Sequence, residues 1–464
     1  MAEVESFRDR ISTVDKEGKR VWIYPKKVKG KFMRYRSWVS YTLLALLLSG
    51  PFLRINGEPL LMLNVIERQF VLFGQIFWPE DFHIFLIGTL CFMLFIVLFT
   101  VIYGRLFCGW ICPQTIFMEF VFRKVEYWIE GDWRDQQALD RAPWSAGKWM
   151  KKGSKHLIFI VLSVFISNIL LMYIIGSDGV LSIISDNPSE HLGGLIAMIV
   201  FSGAFYFVYS KFREQVCTTV CPYGRLQGVM MDRNSIVVAY DYVRGESRAK
   251  IRKGEDRKLA QKGDCIDCHH CVDVCPTGID IRNGVQLECI NCTLCIDACD
   301  AMMKQVNLPA GLIRYSSEEG IANSRPFTWT KRILGYTAVL AVLLGVFVLL
   351  LITRTDVETI LVRTPGMLFQ EVDSNRVQNV YSYKLINKTK RDIPFEFRLI
   401  DRRGEIKPVG KLPLLKSKSL AEGSLFILLD KGEIHSMNTK LRIGVFENNV
   451  MVEDFNISFV GPIQ

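Results

Sequence analysis

No cysteine occurs between Thr355 and Gln464, although the chain carries 13 in 464 residues. A disulfide framework would scatter cysteines through a small secreted domain, so the C-terminal region is not held together in that way. Histidine is scarce, with six in the whole chain. His83, His156 and His191 stand apart, near the ends of apolar runs, whereas haem between spans needs paired histidine ligands. Interfacial packing or capping is expected of all three, with His156 the best candidate for a quinone or metal contact. There is no Walker sequence and no G-x-G-x-x-G that follows a strand and opens a helix, so NAD, flavin and ATP are not indicated. No cleavable signal peptide is apparent, because the first apolar run begins near Trp38 behind a long basic leader.

What is present is apolar sequence in blocks. Half of the chain is hydrophobic, and five runs are long enough to be read as membrane spans: Trp38–Leu53, Ile84–Phe107, Leu157–Ile175, Gly193–Tyr209 and Ile333–Thr353. Leu60–Trp78 is apolar too, but Glu67, Arg68 and Gln69 interrupt it, which suits an interfacial segment. The net charge of +10 bears on membrane topology and points to no nucleic acid. Lys and Arg crowd the leader (Arg8, Arg10 and Lys16 among them), the loop from Arg123 to Lys155 and the segment from Lys211 to Arg332. Ser177–His191 has neither, and Ile55–Asp81 has only Arg68. Five spans with this alternation predict an N-terminus inside and a C-terminus outside.

The domain organisation follows. Residues 1–37 form a cytoplasmic leader, 38–240 a four-span membrane domain, 241–325 a cytoplasmic ferredoxin-like insert, 333–353 a fifth span and 355–464 an outer domain. That last region alternates apolar and polar residues in short stretches such as QNVYSYKLINKT, IPFEFRLID and KLRIGVFEN, the pattern of a β-sandwich.

Twelve cysteines sit in motifs, and Cys91 alone does not, lying in an apolar span as an inert residue. Cys265, Cys268, Cys271 and Cys275, then Cys289, Cys292, Cys295 and Cys299, spell C-x2-C-x2-C-x3-C twice. That spacing holds two [4Fe–4S] clusters in bacterial ferredoxins, where the fourth cysteine of each run serves the other cluster. Cys265, Cys268, Cys271 and Cys299 are therefore assigned to one cluster, and Cys289, Cys292, Cys295 and Cys275 to the other. Paired zinc sites are the alternative, but zinc motifs rarely repeat four cysteines at this spacing. Pro276 follows the first run, whereas Asp300 stands where a second proline is expected and could shift one cluster's potential. His269 and His270 lie between cysteines and are expected in a solvated loop.

Two further motifs repeat after pairs of spans: Cys108-Gly-Trp-Ile-Cys112-Pro113 and Cys217-Thr-Thr-Val-Cys221-Pro222. The residue before proline avoids the helical region, so Cys112 and Cys221 should end one segment while each proline opens a helix. Basic neighbours such as Arg105, Arg213 and Arg225 are expected to depress the thiol pKa values. Four thiols on one face could bind a soft cation, bridge as disulfides or pass electrons. Trp110 is expected over the dithiol or at the membrane interface. With no nucleotide site, electrons must come from a quinol or a protein donor.

In linear order, five spans, two C-x3-C-P motifs, a dicluster ferredoxin insert and an immunoglobulin-like tail resemble the CcoG family, also called FixG or RdxA. The resemblance covers nearly the whole chain. It implies an α-helical transmembrane bundle with an inserted α+β dicluster ferredoxin domain and a C-terminal immunoglobulin-like β-sandwich, in a bacterial inner membrane. It also implies an oxidoreductase that reduces Cu(II) to Cu(I) for assembly of cbb3-type cytochrome c oxidase. Cys108, Cys112, Cys217 and Cys221 then match the catalytic and copper-binding positions, and the eight ferredoxin cysteines the iron ligands. Partners would be oxidase assembly factors or a copper carrier, membrane lipid, an unidentified electron donor and, as one open assembly, a second copy of the chain. The N-terminal half alone also resembles NapH-type quinol dehydrogenases. A quinol-linked conduit and a non-enzymatic assembly scaffold are the competing readings.

Overall fold

Four apolar runs fold into helices long and apolar enough to cross a membrane in the computed structural model. The structure describes residues 13, 14 and 17–462, apart from 56, 65–68, 79, 80, 253–255, 258, 324–327, 356, 367, 374, 390, 411–413 and 418. Arg8, Arg10, Lys16, Glu67 and Arg68 lie outside the described residues. The chain divides into two units, Met1–Gln75 with Phe85–Gly345, and Ile76–Ile84 with Val346–Gln464.

In chain order the helices that matter are α1 (Lys31–Ser49), α2 (Phe82–Tyr103), α3 (Leu106–Trp110), α4 (Pro113–Ile116), α5 (Ala146–Ser185), α6 (Leu192–Phe207), α7 (Pro222–Met230), α8 (Leu294–Gln305) and α9 (Lys331–Ile352). The four apolar ones are α2, α5, α6 (with the turn that continues it to Phe212) and α9. The first expected span differs. Its helix starts at Lys31 and includes Arg34 and Arg36, so it falls short in apolar length. It still reaches from one end of its unit to the other. Its first turn docks on α8, where the Phe32 and Met33 N–H groups donate to Asp297 at 3.1 and 2.7 Å. Near its other end Tyr173 of α5 donates to the Leu47 carbonyl at 2.7 Å, and Arg54 pairs with Asp178 at 2.9 Å. At about 1.5 Å per residue, 19 residues span roughly 28 Å, close to a hydrocarbon core.

α5 runs for 40 residues with a bend at Gly176. The apolar stretch after α1 is extended: β1 (Leu61–Asn64) pairs antiparallel with β2 (Gln69–Leu72). The core around α5 is aromatic, with Phe122, Phe159 and Tyr209 buried together and the rings of Phe122 and Tyr209 stacked 4.6 Å apart. Cys91 is buried within α2, as expected of an inert core residue. Strands β3 (Val237–Tyr240) and β4 (Ile313–Ser316) pair antiparallel and close the two ends of the iron–sulfur region.

The second unit is a two-sheet β-structure. β5 (Val357–Arg363), β6 (Gln370–Asp373), β7 (Arg376–Asn387), β8 (Glu396–Leu399), β9 (Gly404–Pro408), β10 (Leu420–Asp430), β11 (Asn438–Glu447) and β12 (Val450–Val460) follow one another. One sheet has the order β9-β10-β7-β5, with β6 on the end of β7, and the other β8-β11-β12. Alternate residues of both sheets, Tyr381, Leu385, Leu425, Ile427, Leu441 and Ile443 among them, fill one core. At its base Asp81, 1% exposed, takes ion pairs from Arg354 at 2.8 Å and Lys388 at 2.5 Å.

Candidate iron–sulfur and thiol centre

The two cysteine runs adopt the same backbone path. Asp267 and His269 in the first, and Asn291 and Thr293 in the second, all have positive φ (52°, 59°, 54° and 65°). They occupy equivalent positions: the residue before the second cysteine and the residue after it. Asp, Asn and His enter the left-handed region readily, but a β-branched Thr does not. Thr293 is wholly buried, and its conformation marks a loop wrapped round something. A helix follows each turn, His270–Asp273 in the first run and α8 in the second.

Burial pushes Cys299 up to about 12, and its charged neighbours include Cys271, Cys268 and Cys265. Burial likewise pushes Cys289 up to about 12, with Cys292 and Cys275 beside it. Cys295 is also raised by burial, with Cys292, Cys289, Cys275 and Cys271 adding to it. A small cavity is lined by Cys271, Cys275, Cys289, Cys292 and Cys295 between Ile279, Ile281 and Ile290. None of the thirteen cysteines forms a disulfide. Buried thiols this close resist ionisation alone, whereas a cationic iron core removes their protons outright. The donor set and its apolar walls therefore fit two [4Fe–4S] clusters.

Around them lie charged groups. Arg282, buried, binds Asp280 at 2.7 Å and Asp267 at 2.6 Å, and it approaches Nδ1 of His269 at 3.0 Å. His269 thus belongs to an ionic network. Asp300, in place of the expected proline, accepts the Gly311 N–H at 2.8 Å, and its charge also raises Cys299.

The two C-x3-C-P motifs meet. Cys112 and Cys221 are helix N-caps, and Pro113 and Pro222 open α4 and α7, as the proline rule predicts. Gly224 brings α7 onto the second motif: a Cβ there would lie 2.7 Å from the Cys217 carbonyl oxygen. Cys108 approaches Gln227 of α7, Sγ to Oε1 at 3.3 Å. Cys112, Cys108 and Cys221 all stand near enough to Cys217 to influence it, so the two motifs are brought together, each thiol half-buried. For Cys108, Cys112 and Cys217 the expected depression is overturned. Burial, followed by the neighbouring thiols, pushes Cys108 up to about 11 and Cys217 up to about 12, and burial raises Cys112. Arg213 is bound to Glu126 and Arg225 is exposed, while Arg105, held by the Gly224 carbonyl, lowers Cys108 without outweighing its burial.

This thiol site abuts the second ferredoxin run. Gly109, between Cys108 and Cys112, is pressed onto the Ile290 carbonyl, and Cys108 packs against the apolar group containing Cys292 and Ile290. The Trp110 indole N–H donates to Tyr315 of β4 at 3.1 Å. His156 accepts from Tyr206 at 2.9 Å, if Nδ1 is unprotonated, and lines a cavity of about 470 Å3 with Trp22, Trp144 and Lys211. His191 pairs with Asp186 at 3.1 Å. Sequence reasoning missed the buried ion pairs beneath the motifs: Glu126 with Arg213, Glu130 with Lys155 at 2.9 Å, and Glu214 with Arg20 at 2.8 Å. It also missed Arg36, whose Nε donates to the Gly109 carbonyl at 2.7 Å. Their one signal was charge close to apolar runs.

Fold and site together define an iron–sulfur electron-transfer protein with membrane-spanning helices and an immunoglobulin-like domain. Comparison with known proteins agrees. Residues 212–318 match a 4Fe-4S dicluster domain, 85–134 a 4Fe-4S binding domain, and 347–462 the IG-like fold at the C-terminal of FixG. The chain is 34% identical over 391 residues to protein RdxB of Cereibacter sphaeroides, covering 80% of each. It is 34% identical over 406 residues to RdxA of the same organism, covering 84% of each. Nitrogen fixation protein FixG of Rhizobium meliloti is 36% identical over 309 residues, which are 64% of this chain and 58% of that protein. A crystal structure of a FixG-related protein from Vibrio parahaemolyticus covers 23% of this chain at 17% identity with a TM-score of 0.19, a likeness too small to bear on the fold. The chain belongs to the FixG family, with RdxA and RdxB.

Proposed function

We propose that this protein reduces Cu(II) to Cu(I) at the four thiols of Cys108, Cys112, Cys217 and Cys221, in support of cbb3-type oxidase assembly. The observation that carries this reading is the convergence of both C-x3-C-P motifs, each thiol half-buried, against the second ferredoxin run. Soft thiolates favour Cu(I), whereas Cu(II) prefers nitrogen and oxygen ligands, so the site both drives the reduction and retains its product. Two thiols form one disulfide, giving one electron to each of two Cu(II) ions and releasing two protons. When bound, the clusters of Cys265, Cys268, Cys271 and Cys299 and of Cys275, Cys289, Cys292 and Cys295 supply one-electron reduction. Gln227 holds Cys108, and Gly224 and Gly109 let the three segments close on one another.

The charge bias puts the leader, the 123–155 loop and the iron–sulfur region on the cytoplasmic side of a bacterial inner membrane. A crossing by α1 then leaves the β-sandwich outside, suited to docking an oxidase assembly factor or copper carrier. A quinol is a second reading for the electron source, favoured by the His156 cavity and its aromatic walls. The test is Cu(I) formation by reduced, purified protein, followed with a Cu(I)-specific chelator. Serine at all four positions should abolish it with both iron–sulfur spectra intact, and Cu(I) formation at the normal rate would refute the site. Cluster reduction by a quinol analogue in vesicles would establish the second reading. Reporters fused after Thr355 and near Gly263 should be active outside and inside respectively.

A further inference from the structure

Arg36 is 0% exposed. Its Nε has a partner in the Gly109 carbonyl, and its guanidinium stands 5.1 Å from the Phe120 ring. Nη1 and Nη2 have no hydrogen-bond partner among the described residues. Glu119, a carboxylate whose charge reaches the same region, is bound by Arg123. A fully buried guanidinium without an anion is strongly unfavourable, and natural proteins pair such charges.

The helix shows where that charge belongs. Asp297 anchors the start of α1 on α8 through the N–H groups of Phe32 and Met33. The Met33 side chain packs against the apolar group that contains Cys292, Leu294 and Ala298. Arg36 is three residues further on, on the same face of α1. Gly109, which accepts its Nε–H, is pressed against Ile290 and Asn291, and Cys292 is the next residue.

We propose that Arg36 is the internal counter-ion of the cluster held by Cys275, Cys289, Cys292 and Cys295, with its two free Nη groups serving the anionic sulfur at Cys292. It acts as a positioning residue through that cluster. A fixed positive charge in a low-dielectric site favours the more negatively charged, reduced state, and so raises the reduction potential. It also ties that cluster to the thiol site, since the same guanidinium binds the backbone between Cys108 and Cys112. The leader's basic residues therefore include one that faces the electron path and not the membrane surface.

This inference rests on the ligand assignment proposed above, and the experiment separates the two. Redox titration of full-length protein, followed by EPR, gives the potential of each cluster. If the wild-type protein shows fewer than two clusters, the ligand assignment fails. With both present, R36M should shift one cluster toward the oxidised form at least tenfold, about 59 mV for one electron, and leave the other in place. R36K, which keeps the charge, should lie near wild type. If R36M loads poorly, selective loss of one EPR signal with the other retained supports the proposal. Two unchanged potentials, equal movement of both, or loss of both clusters while R36K also loses both would overturn it.

Discussion

Gly109 lies against the carbonyl of Ile290 with no room for a side chain between them. One residue stands between Cys108 and Cys112, the other between Cys289 and Cys292, so this contact joins the thiol site to the second cysteine run. It closes because glycine leaves the backbone bare, and Arg36 holds it by binding the Gly109 carbonyl.

Alanine at Gly109 should therefore be costly. Overpacking of a closed backbone contact costs about 1–3 kcal/mol, and thermal unfolding of the full chain should show a loss of that order. Gly153 of α5 is the control, since a Cβ there meets nothing within 4 Å. G153A should be neutral or slightly stabilising, because alanine is the better helix former.

The thiols should be slow to alkylate at neutral pH. Burial holds Cys108 near 11 and Cys217 near 12, and only the thiolate reacts. In copper-free protein their alkylation rate should rise roughly tenfold per pH unit below those values. Mass-spectrometric peptide mapping over a pH series checks this. Rapid, pH-independent modification at neutral pH would show instead that the thiols are already ionised.

Asp81 should act as a pH-dependent clamp for the β-structured unit. Burial raises its carboxyl, but hydrogen bonds from Arg354 and Lys388 outweigh this and hold it below the ordinary carboxylate range. A depressed carboxyl contributes stability above its unfolded pKa of about 3.9, and that contribution is lost as pH falls through the lower folded value. D81N leaves Lys388, 4% exposed, with one ion-pair partner, Glu358, among the described residues. Loss of about 3–5 kcal/mol is expected at pH 7, measured by thermal unfolding. The gap between D81N and wild type should narrow at acid pH, because protonation removes the same charge.

Much of this arrangement was legible in the sequence. The cysteine spacing pointed to the dicluster domain, which the comparison bears out, because ferredoxin ligation is a local property of short loops. The prolines after Cys112 and Cys221 located the helix starts because their effect is steric and immediate. Strand alternation found β7, β8, β10, β11 and β12 of the β-sandwich, though not β5 or the short β6 and β9. Long-range properties were hidden. Arg36 is one of many basic residues in the leader, and nothing in its neighbours shows that it turns inward. The thiol pKa values were misjudged because proximity in sequence to arginine says nothing about which carboxylate or carbonyl that arginine binds. Trp110 finds Tyr315 from 205 positions away, beyond any periodicity.

The most direct test of electron delivery to the four thiols is to mix reduced protein anaerobically with Cu(II) and follow two signals together. Cluster absorbance should return to its oxidised level as the Cu(II) EPR signal disappears. In the C108S/C112S/C217S/C221S variant the clusters should stay reduced and the Cu(II) signal should persist. Equal loss of Cu(II) signal in that variant, with both clusters reoxidised, would contradict the account.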